Sequence, residues 1–139
     1  MATIEFKIEG KPPNTTAQGK RLNRATGQFF ASKQHASDME ALRLAMRPYK
    51  PTSPLEGAVF VTIQATWPHT KATPKKLQAG TWPKTSKPDA DNFFKGVIDC
   101  LVDEGFFLED SKVYRLHVAK FVGPPELVGI QIIIKTEEQ

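Results

Sequence analysis

The chain has 139 residues, 40% hydrophobic and 24% charged, which is an ordinary composition for one soluble globular domain. No run of about 18 apolar residues exists, so no membrane-spanning helix is predicted, and the alternating start is unlike a signal peptide. The single cysteine, Cys100, excludes an internal disulfide and a cysteine-based zinc site. We expect it to be a small buried hydrophobic residue in a cytoplasmic protein.

The formal net charge of +4 hides an uneven distribution along the chain. Residues 1–88 contain 14 Lys and Arg against 5 Asp and Glu, whereas residues 89–139 contain 5 against 10. A lysine-rich, acid-free stretch, 71–87, is followed directly by Asp89 and Asp91. A nuclease needs positive charge to hold phosphates and carboxylates to hold metal ions, so this order favours a nucleic-acid partner.

The first half of the chain predicts two strands and one helix. Residues 3–9 alternate with period two, which predicts a strand, and the Gly-Lys-Pro-Pro-Asn of 10–14 ends it. Residues 15–31 are predicted to be irregular and basic. Apolar side chains at three- and four-residue steps predict a helix over 33–47, and β-branched residues predict a strand over 58–67.

The second half begins with a long loop over 68–88, which contains four prolines; loops of this length are usually functional or disordered. A helix is predicted over 92–104, with Asp91 as its N-cap and Gly105 ending it. Two further strands are predicted, at about 112–121 and 127–135. The element order predicts a single α+β domain with a mixed or antiparallel sheet of about four strands and two main helices.

Asp89 and Asp91 are the first candidates for chemistry. If the chain is extended through Asp91, both side chains point to the same side, and a divalent cation removes the repulsion between them. Mg²⁺ is normally held by one or two carboxylates together with waters and phosphate oxygens. A helix N-terminus at Asp91 also favours an incoming phosphate. An ordinary turn and N-cap is the alternative interpretation of a lone D-x-D.

Lys95 lies one helical turn after Asp91, so its ammonium group can reach the same site. There it would neutralise charge on the phosphate or orient the attacking water. The alternative is an ion pair along the helix with Asp91 or Asp99, and Asp99 is expected to be a structural partner of Lys95 and not a metal ligand.

A third carboxylate is expected at Asp110. The helix over 92–104 climbs roughly 20 Å, and the extended steps from Gly105 to Asp110 return roughly 16–17 Å. Asp110 can therefore arrive beside the helix N-terminus, if Phe106, Phe107 and Leu108 bury that return path. Glu109 is the alternative carboxylate, since the alternation of an extended segment does not choose between the two.

The motif Asp89-Ala-Asp91-Asn-x-x-Lys95, followed by Asp99, Gly105-Phe-Phe-Leu and Glu109-Asp110, resembles the RusA family of Holliday junction resolvases. The Pro-Pro start, the chain length and the final strand are similar as well, so the resemblance covers nearly the whole chain. It implies a homodimeric, Mg²⁺-dependent endonuclease of DNA recombination and repair, common in prophages, with Mn²⁺ as a substitute cation. Such an enzyme nicks two strands of a four-way junction symmetrically. The resemblance implies that Asp89, Asp91 and Asp110 bind metal and that Lys95 is the catalytic lysine.

Basic residues outside this motif are candidates for DNA contact, and an ordinary solvated surface is the alternative for each of them. The candidates are Lys20, Arg21, Arg24, Lys71, Lys75, Lys76, Lys84 and Lys87. Trp82, beside the second cluster, either stacks on an unpaired base or pins its loop to the body. The three histidines show no metal-ligand spacing and are interpreted as surface or strand residues.

A four-way junction has two-fold symmetry, which a dimer with two identical sites matches. The stripe Asp91-Lys95-Asp99 is too polar for a dimer surface, so an apolar face of the sheet or of the helix over 33–47 is expected there. Two other functions stay open. One is a DNA-binding module without catalysis, and the other is a metal-dependent nuclease for flaps, RNA or other branched substrates.

Overall fold

The structure, a computed structural model, describes residues 2–14, 20–23, 28–31 and 33–137, the second and third of these ranges by their backbone alone. One sheet contains the strands β1 (Thr3–Glu9), β4 (Ala58–Pro68), β5 (Trp82–Pro83), β6 (Val113–Gly123) and β7 (Gly129–Glu137). A separate hairpin contains β2 (Lys20–Asn23) and β3 (Gln28–Ala31). The two α-helices are α1 (Lys33–Met46) and α2 (Ala90–Asp103). The predicted α+β fold is confirmed, with five strands in the main sheet.

The main sheet is mixed, in the order β1–β7–β4–β6–β5. β7 pairs antiparallel with both β1 and β4, whereas β4 and β6 run parallel. Parallel neighbours require a crossover connection, and α2 lies in the one that joins β4 to β6. This topology brings α2 beside the β6 side of the sheet.

The core lies between the sheet and the two helices. Alternate residues of β4 are fully buried on the helix side, and Phe93, Phe94 and Leu101 of α2 pack into the same cluster. Each such side chain contributes roughly 1.5–3 kcal/mol by leaving water. Cys100 is buried as expected, with its Sγ 3.7 Å from the Met39 Sδ, and burial raises the pKa of its thiol to about 12. The packing fixes α2 against the sheet.

The C-terminal end of α2 is fastened by two ion pairs to α1 and to the 3-10 turn that follows it, Arg47–Tyr49. Arg47 Nε lies 2.6 Å from the Glu104 Oε1, and Arg43 Nη1 lies 3.3 Å from the Asp103 Oδ2. Gly105, at φ +86°, then reverses the chain, as predicted. The chain thus leaves α2 along a fixed path back toward the sheet.

Some local predictions are wrong. Residues 15–31, predicted to be irregular, include the β2–β3 hairpin, whose short strands carry too little alternation to be recognised. The loop over 68–88 contains β5 and a 3-10 turn at Lys75–Leu77. Leu108, expected to help bury the return path, is 69% exposed, although the two phenylalanines before it are fully buried. No helix in the described part of the chain is long and apolar enough to cross a membrane.

Candidate active site

The N-terminus of α2 lies between the two aspartates of the D-x-D motif. Asp89 is extended and is the N-cap, and the Phe93 N–H donates to its carbonyl oxygen at 2.9 Å. Asp91 is in the first turn of the helix. The prediction that Asp91 caps α2 is therefore wrong, and so is the extended geometry expected for the pair. The helix starts at Ala90, two residues earlier than predicted, so alternation does not apply across the motif.

A groove of about 640 Å³ runs between α2 and β6. Asp91, Lys95 and Asp99 line it from α2, and Asp110 lines it from the 3-10 turn that leads into β6. The return path from the end of α2 therefore brings Asp110 to the same groove as Asp91. Glu109 is not among the lining residues, so the groove favours Asp110 over its neighbour.

Asp89 stands beside this groove and is not part of its lining, although the next residue, Ala90, is. Among the residues that the structure describes, no group of three or more His, Cys, Asp or Glu lies close enough to hold a metal ion. In the described part of the chain, the carboxylates of Asp91 and Asp110 therefore share a groove, but the three aspartates do not form one cluster. The assignment of Asp89, Asp91 and Asp110 as metal ligands stays a prediction.

Lys95 makes an ion pair with Asp99, with 3.6 Å between the Lys95 Nζ and the Asp99 Oδ1. The two side chains are 59% and 47% exposed. Asp99 is therefore the structural partner of Lys95, as expected, although an exposed pair of this kind contributes about 1 kcal/mol at most. The ammonium group of Lys95 remains at the groove and accessible to solvent.

Residues 84–89, which we call the strap, connect β5 to α2. The Lys84 N–H donates to the Lys120 carbonyl oxygen at 3.0 Å. The Lys120 ammonium group donates to the carbonyl oxygens of Ser86 and Pro88, at 2.9 and 2.6 Å. Lys120, on β6, thus holds the strap with both its backbone carbonyl and its side chain.

The sequence analysis did not single out Lys120. The usable signal is that Lys120 lies on the same face of the strand as Leu116 and Val118, because a lysine on an apolar face needs polar partners.

Lys84, predicted as a DNA contact, is half-buried within this arrangement. Its Nζ lies 5.3 Å from the centroid of the Trp67 ring and donates to the Ser86 Oγ at 2.9 Å. Burial lowers the pKa of the Lys84 ammonium group, and repulsion from Lys120 and Lys11 lowers it further. Lys84 therefore has a structural role at the strap, whatever contact it makes with DNA.

The other basic candidates have different surroundings. Lys71, Lys75, Lys76 and Lys87 are exposed on the segment before α2. Lys20 and Arg21 lie in β2, where the side chains are outside the described part, and Arg24 lies outside it altogether. Exposure of these four lysines fits both a contact with DNA and an ordinary solvated surface, so both interpretations stay open.

Trp82 is held by its own loop. Its Nε1–H donates to the Leu77 carbonyl oxygen at 3.0 Å, and its ring lies close to Gly80. The His69 Nε2 lies 2.8 Å from the Gly80 carbonyl oxygen. These contacts favour the interpretation in which Trp82 pins the loop, although its side chain remains 45% exposed. His117 is an exposed strand residue of β6, as expected for a histidine without metal-ligand spacing.

Comparison with known proteins supports what the motif indicated. The family model for Endodeoxyribonuclease RusA matches residues 10–135. The chain belongs to the RusA family. Its members are endodeoxyribonucleases, and the match spans the D-x-D motif, Lys95 and Asp110.

Two relatives match over nearly their full length. The crossover junction endodeoxyribonuclease rusA of Lactococcus phage r1t is 25% identical over 129 residues, covering 93% of this chain and 95% of the relative. The uncharacterized protein YqaN of Bacillus subtilis (strain 168) is 28% identical over 145 residues, covering 95% of this chain and 96% of the relative. This RusA-family chain and the two relatives therefore align over nearly their whole lengths.

Proposed function

We propose that this RusA-family protein is a Mg²⁺-dependent, structure-specific endonuclease that resolves four-way DNA junctions by paired, symmetrical nicks during recombination and repair. The main support is that Asp91, Lys95 and Asp110 line one groove at the N-terminus of α2. The relative from a Lactococcus phage bears the name of a crossover junction endodeoxyribonuclease, which supports both this substrate and an origin in a prophage.

The carboxylates suit Mg²⁺ in their chemistry. Mg²⁺ prefers oxygen ligands and is usually held by one or two carboxylates plus waters and substrate phosphates, so Asp91 and Asp110 are sufficient protein ligands. Asp89, at the N-cap, is the third candidate. When bound, the cation supplies Lewis-acid activation of the water and of the phosphoryl oxygens. Mn²⁺ prefers the same ligand type and is expected to substitute.

Lys95 and the helix N-terminus act on the phosphate. Because the pair with Asp99 is long and exposed, the Lys95 ammonium group can exchange that carboxylate for a phosphate oxygen at little cost. The first-turn N–H groups of α2 lack partners within the helix and favour a negative group in front of them. The Asp89 side chain makes no capping hydrogen bond with them. Together these groups offset the charge that develops on the phosphate during attack.

The exposed lysines before α2 are proposed to hold the DNA backbone. Lys71, Lys75, Lys76 and Lys87 lie on the segment that leads into the site, and Lys20, Arg21 and Arg24 are further candidates. Contacts to phosphate fix the position of the substrate without reading its sequence, and they weaken with added salt. Recognition is therefore expected to depend on the shape of the junction.

The edge of β6 is the surface we propose for a homodimer. β5 pairs with β6 at Phe121 and Val122, and the Lys84 N–H reaches Lys120, so in the described part of the chain the residues of β6 before Lys120 leave one edge unpaired. Leu116 and Val118 on this strand are 44% and 38% exposed. Antiparallel pairing of two such edges about a two-fold axis would continue the sheet and bring these two side chains, which also line the groove, next to the partner subunit. This edge differs from the sheet face and the α1 face expected from the sequence.

Sedimentation velocity tests this surface. Val118→Glu is expected to shift a dimer toward monomer, because a carboxylate would be buried in the new interface. Leu127→Glu changes a side chain that is 48% exposed in the turn after β6, beyond the unpaired stretch of that strand, and it should leave the dimer intact. A wild-type monomer at all accessible concentrations, or an equal effect of both variants, would contradict the proposed interface.

The activity is tested by comparing cleavage of a four-way junction, a flap and a linear duplex of matched sequence. With Mg²⁺ we expect the junction to be cleaved fastest, by two symmetrical nicks. Ca²⁺ should support binding without cleavage, since its looser geometry positions the water poorly. Preferred cleavage of the flap would favour the branched-substrate nuclease instead. Junction binding without cleavage in Mg²⁺ or Mn²⁺ would favour the non-catalytic module.

A further inference from the structure

We propose that Lys120 is a positioning residue of this site: its ammonium group holds the strap at Ser86 and Pro88, and thereby sets where Asp89 stands at the start of α2. The contact itself follows from the structure, and its consequence for cleavage rests on the proposed function. Lys120 lies on a different element from every residue of the D-x-D motif.

The placement of Lys120 is unusual for a lysine. In the parallel register, Val118 pairs with Ile63 and Lys120 pairs with Ala65, and both β4 partners are fully buried. Lys120 therefore occupies a position on the helix side of the sheet, where the strand alternation otherwise places apolar residues. Desolvating an ammonium group is unfavourable unless it is hydrogen-bonded, and here two carbonyl oxygens accept from it.

The strap depends on Lys120 for its attachment. After β5, the Lys84 N–H donates to the Lys120 carbonyl, and the next backbone hydrogen bond along the chain is the first of α2, at Asp89. Between these two points, the hydrogen bonds from the strap to the rest of the described fold are the two to the Lys120 ammonium group. Without them, the segment between its two ends would be held by the packing of the buried Pro88 alone, with no hydrogen bond to the rest of the described fold.

The shorter of the two contacts acts directly on Asp89. The Pro88 carbonyl oxygen, 2.6 Å from the Lys120 Nζ, shares a planar peptide unit with the Asp89 nitrogen. Fixing that oxygen fixes the plane from which Asp89 and the first turn of α2 begin. A displacement of about 1 Å in a positioning contact can lower catalysis on the order of 10²-fold, so a contact remote from the phosphate can still matter.

Three variants separate this role from a general effect of charge or stability. Lys120→Met removes both the charge and the donors, whereas Lys120→Arg keeps both. Lys135→Met, on an exposed position of β7, removes the same charge away from the strap and is the matched control. Amide hydrogen exchange at Lys84 and Phe93, the hydrogen-bonded N–H groups at the two ends of the strap, should accelerate in Lys120→Met and stay near wild type in Lys120→Arg and Lys135→Met. Should Lys120→Met not fold, Lys120→Leu, which also removes both the charge and the donors, gives the same comparison, with the same acceleration expected.

Kinetics provide the second measurement. In Lys120→Met the junction cleavage rate at saturating Mg²⁺ should fall on the order of 10²-fold, while junction affinity in Ca²⁺ falls no more than in Lys135→Met. Lys120→Arg should recover most of the rate. This separation of rate from affinity, with rescue by arginine, is not expected of a lysine that merely attracts DNA.

The outcomes are distinct. Unchanged exchange at both Lys84 and Phe93 in Lys120→Met would overturn the proposed contact, whatever happens to cleavage. Faster exchange with wild-type cleavage would overturn the positioning of the site. A wild-type protein that cleaves no junction would overturn the proposed function instead, and the exchange measurement would still decide whether Lys120 holds the strap.

Discussion

The two ends of α2 both carry acidic residues, but they use them differently. At the C-terminal end, Asp103 and Glu104 each pair with an arginine of the α1 segment. At the N-terminal end, neither Asp89 nor Asp91 lies within 4.0 Å of a cationic group in the described part of the chain. The helix dipole disfavours acidic residues at the C-terminal end and favours them at the N-terminal end. Acids that would destabilise the helix are thus neutralised within the protein, and those that the helix tolerates remain available to a ligand.

The largest expected effect is at the N-terminal end. Asp91→Asn should lower the junction cleavage rate about 10³-fold, because a carboxylate proposed to hold Mg²⁺ contributes several kcal/mol to the transition state. Single-turnover cleavage in Mg²⁺ measures this loss. Junction binding in Ca²⁺ should be retained or tightened, since a negative charge near phosphate is removed. Asp103→Asn, which removes the same charge at the other end of the helix, should cleave at nearly the wild-type rate. Equal losses in both variants would remove the distinction between the ends.

Lys95 should show the next largest effect. Lys95→Met is expected to lower the cleavage rate on the order of 10²-fold, because its ammonium group is proposed to stabilise charge on the phosphate. Lys95→Arg should retain part of the rate, as the charge is kept while the geometry changes. Thermal unfolding should be nearly unchanged in both, since the pair with Asp99 is exposed. A large loss of stability with little loss of cleavage would show that Lys95 serves the helix alone.

The smallest effect is expected at the C-terminal end, and it should appear in stability. Glu104→Gln weakens the pair with Arg47 and should lower Tm by about 2–4 °C at pH 7, with little change in cleavage. The hydrogen bond from Arg47 holds the pKa of the Glu104 carboxyl below its usual range. The stabilisation of the fold by the Arg47–Glu104 pair is therefore complete above the unfolded-chain pKa of roughly 4.3, and it is lost as the pH falls through the native pKa of Glu104. The Tm difference between wild type and Glu104→Gln should accordingly shrink on acidification; a difference that grows would contradict this pairing.

The sequence was sufficient for the elements whose side chains alternate or repeat strongly. β1, β4 and α1 were predicted nearly to the residue, because each buries one regular apolar face. The hairpin of β2 and β3 and the two-residue β5 were missed, because pairing of the backbone leaves little trace in such short segments. The start of α2 was misplaced by two residues, since Asp89 and Asp91 are equally good N-caps by composition.

The site was only partly predictable for a related reason. The return path after Gly105 was expected to bring Asp110 beside the N-terminus of α2, and Asp110 does line the same groove as Asp91, although the three aspartates do not form one cluster in the described part of the chain. The position of Asp89 depends on the strap, and the strap is held by Lys120 from a strand that comes 30 residues later. Such a long-range contact between a side chain and backbone carbonyls follows no periodic pattern, so it became visible only in the fold.

Occupancy of the groove by a cation decides whether Asp91 and Asp110 form a metal site. A crystal of the wild-type protein soaked in Mn²⁺ should give an anomalous peak in contact with the carboxylate oxygens of Asp91 and Asp110, and none beside Asp103 or Glu104. The same soak of Asp91→Asn should leave the peak absent or much weaker. A wild-type peak that touches neither Asp91 nor Asp110, or no peak near α2 at all, would show that these carboxylates do not hold the cation.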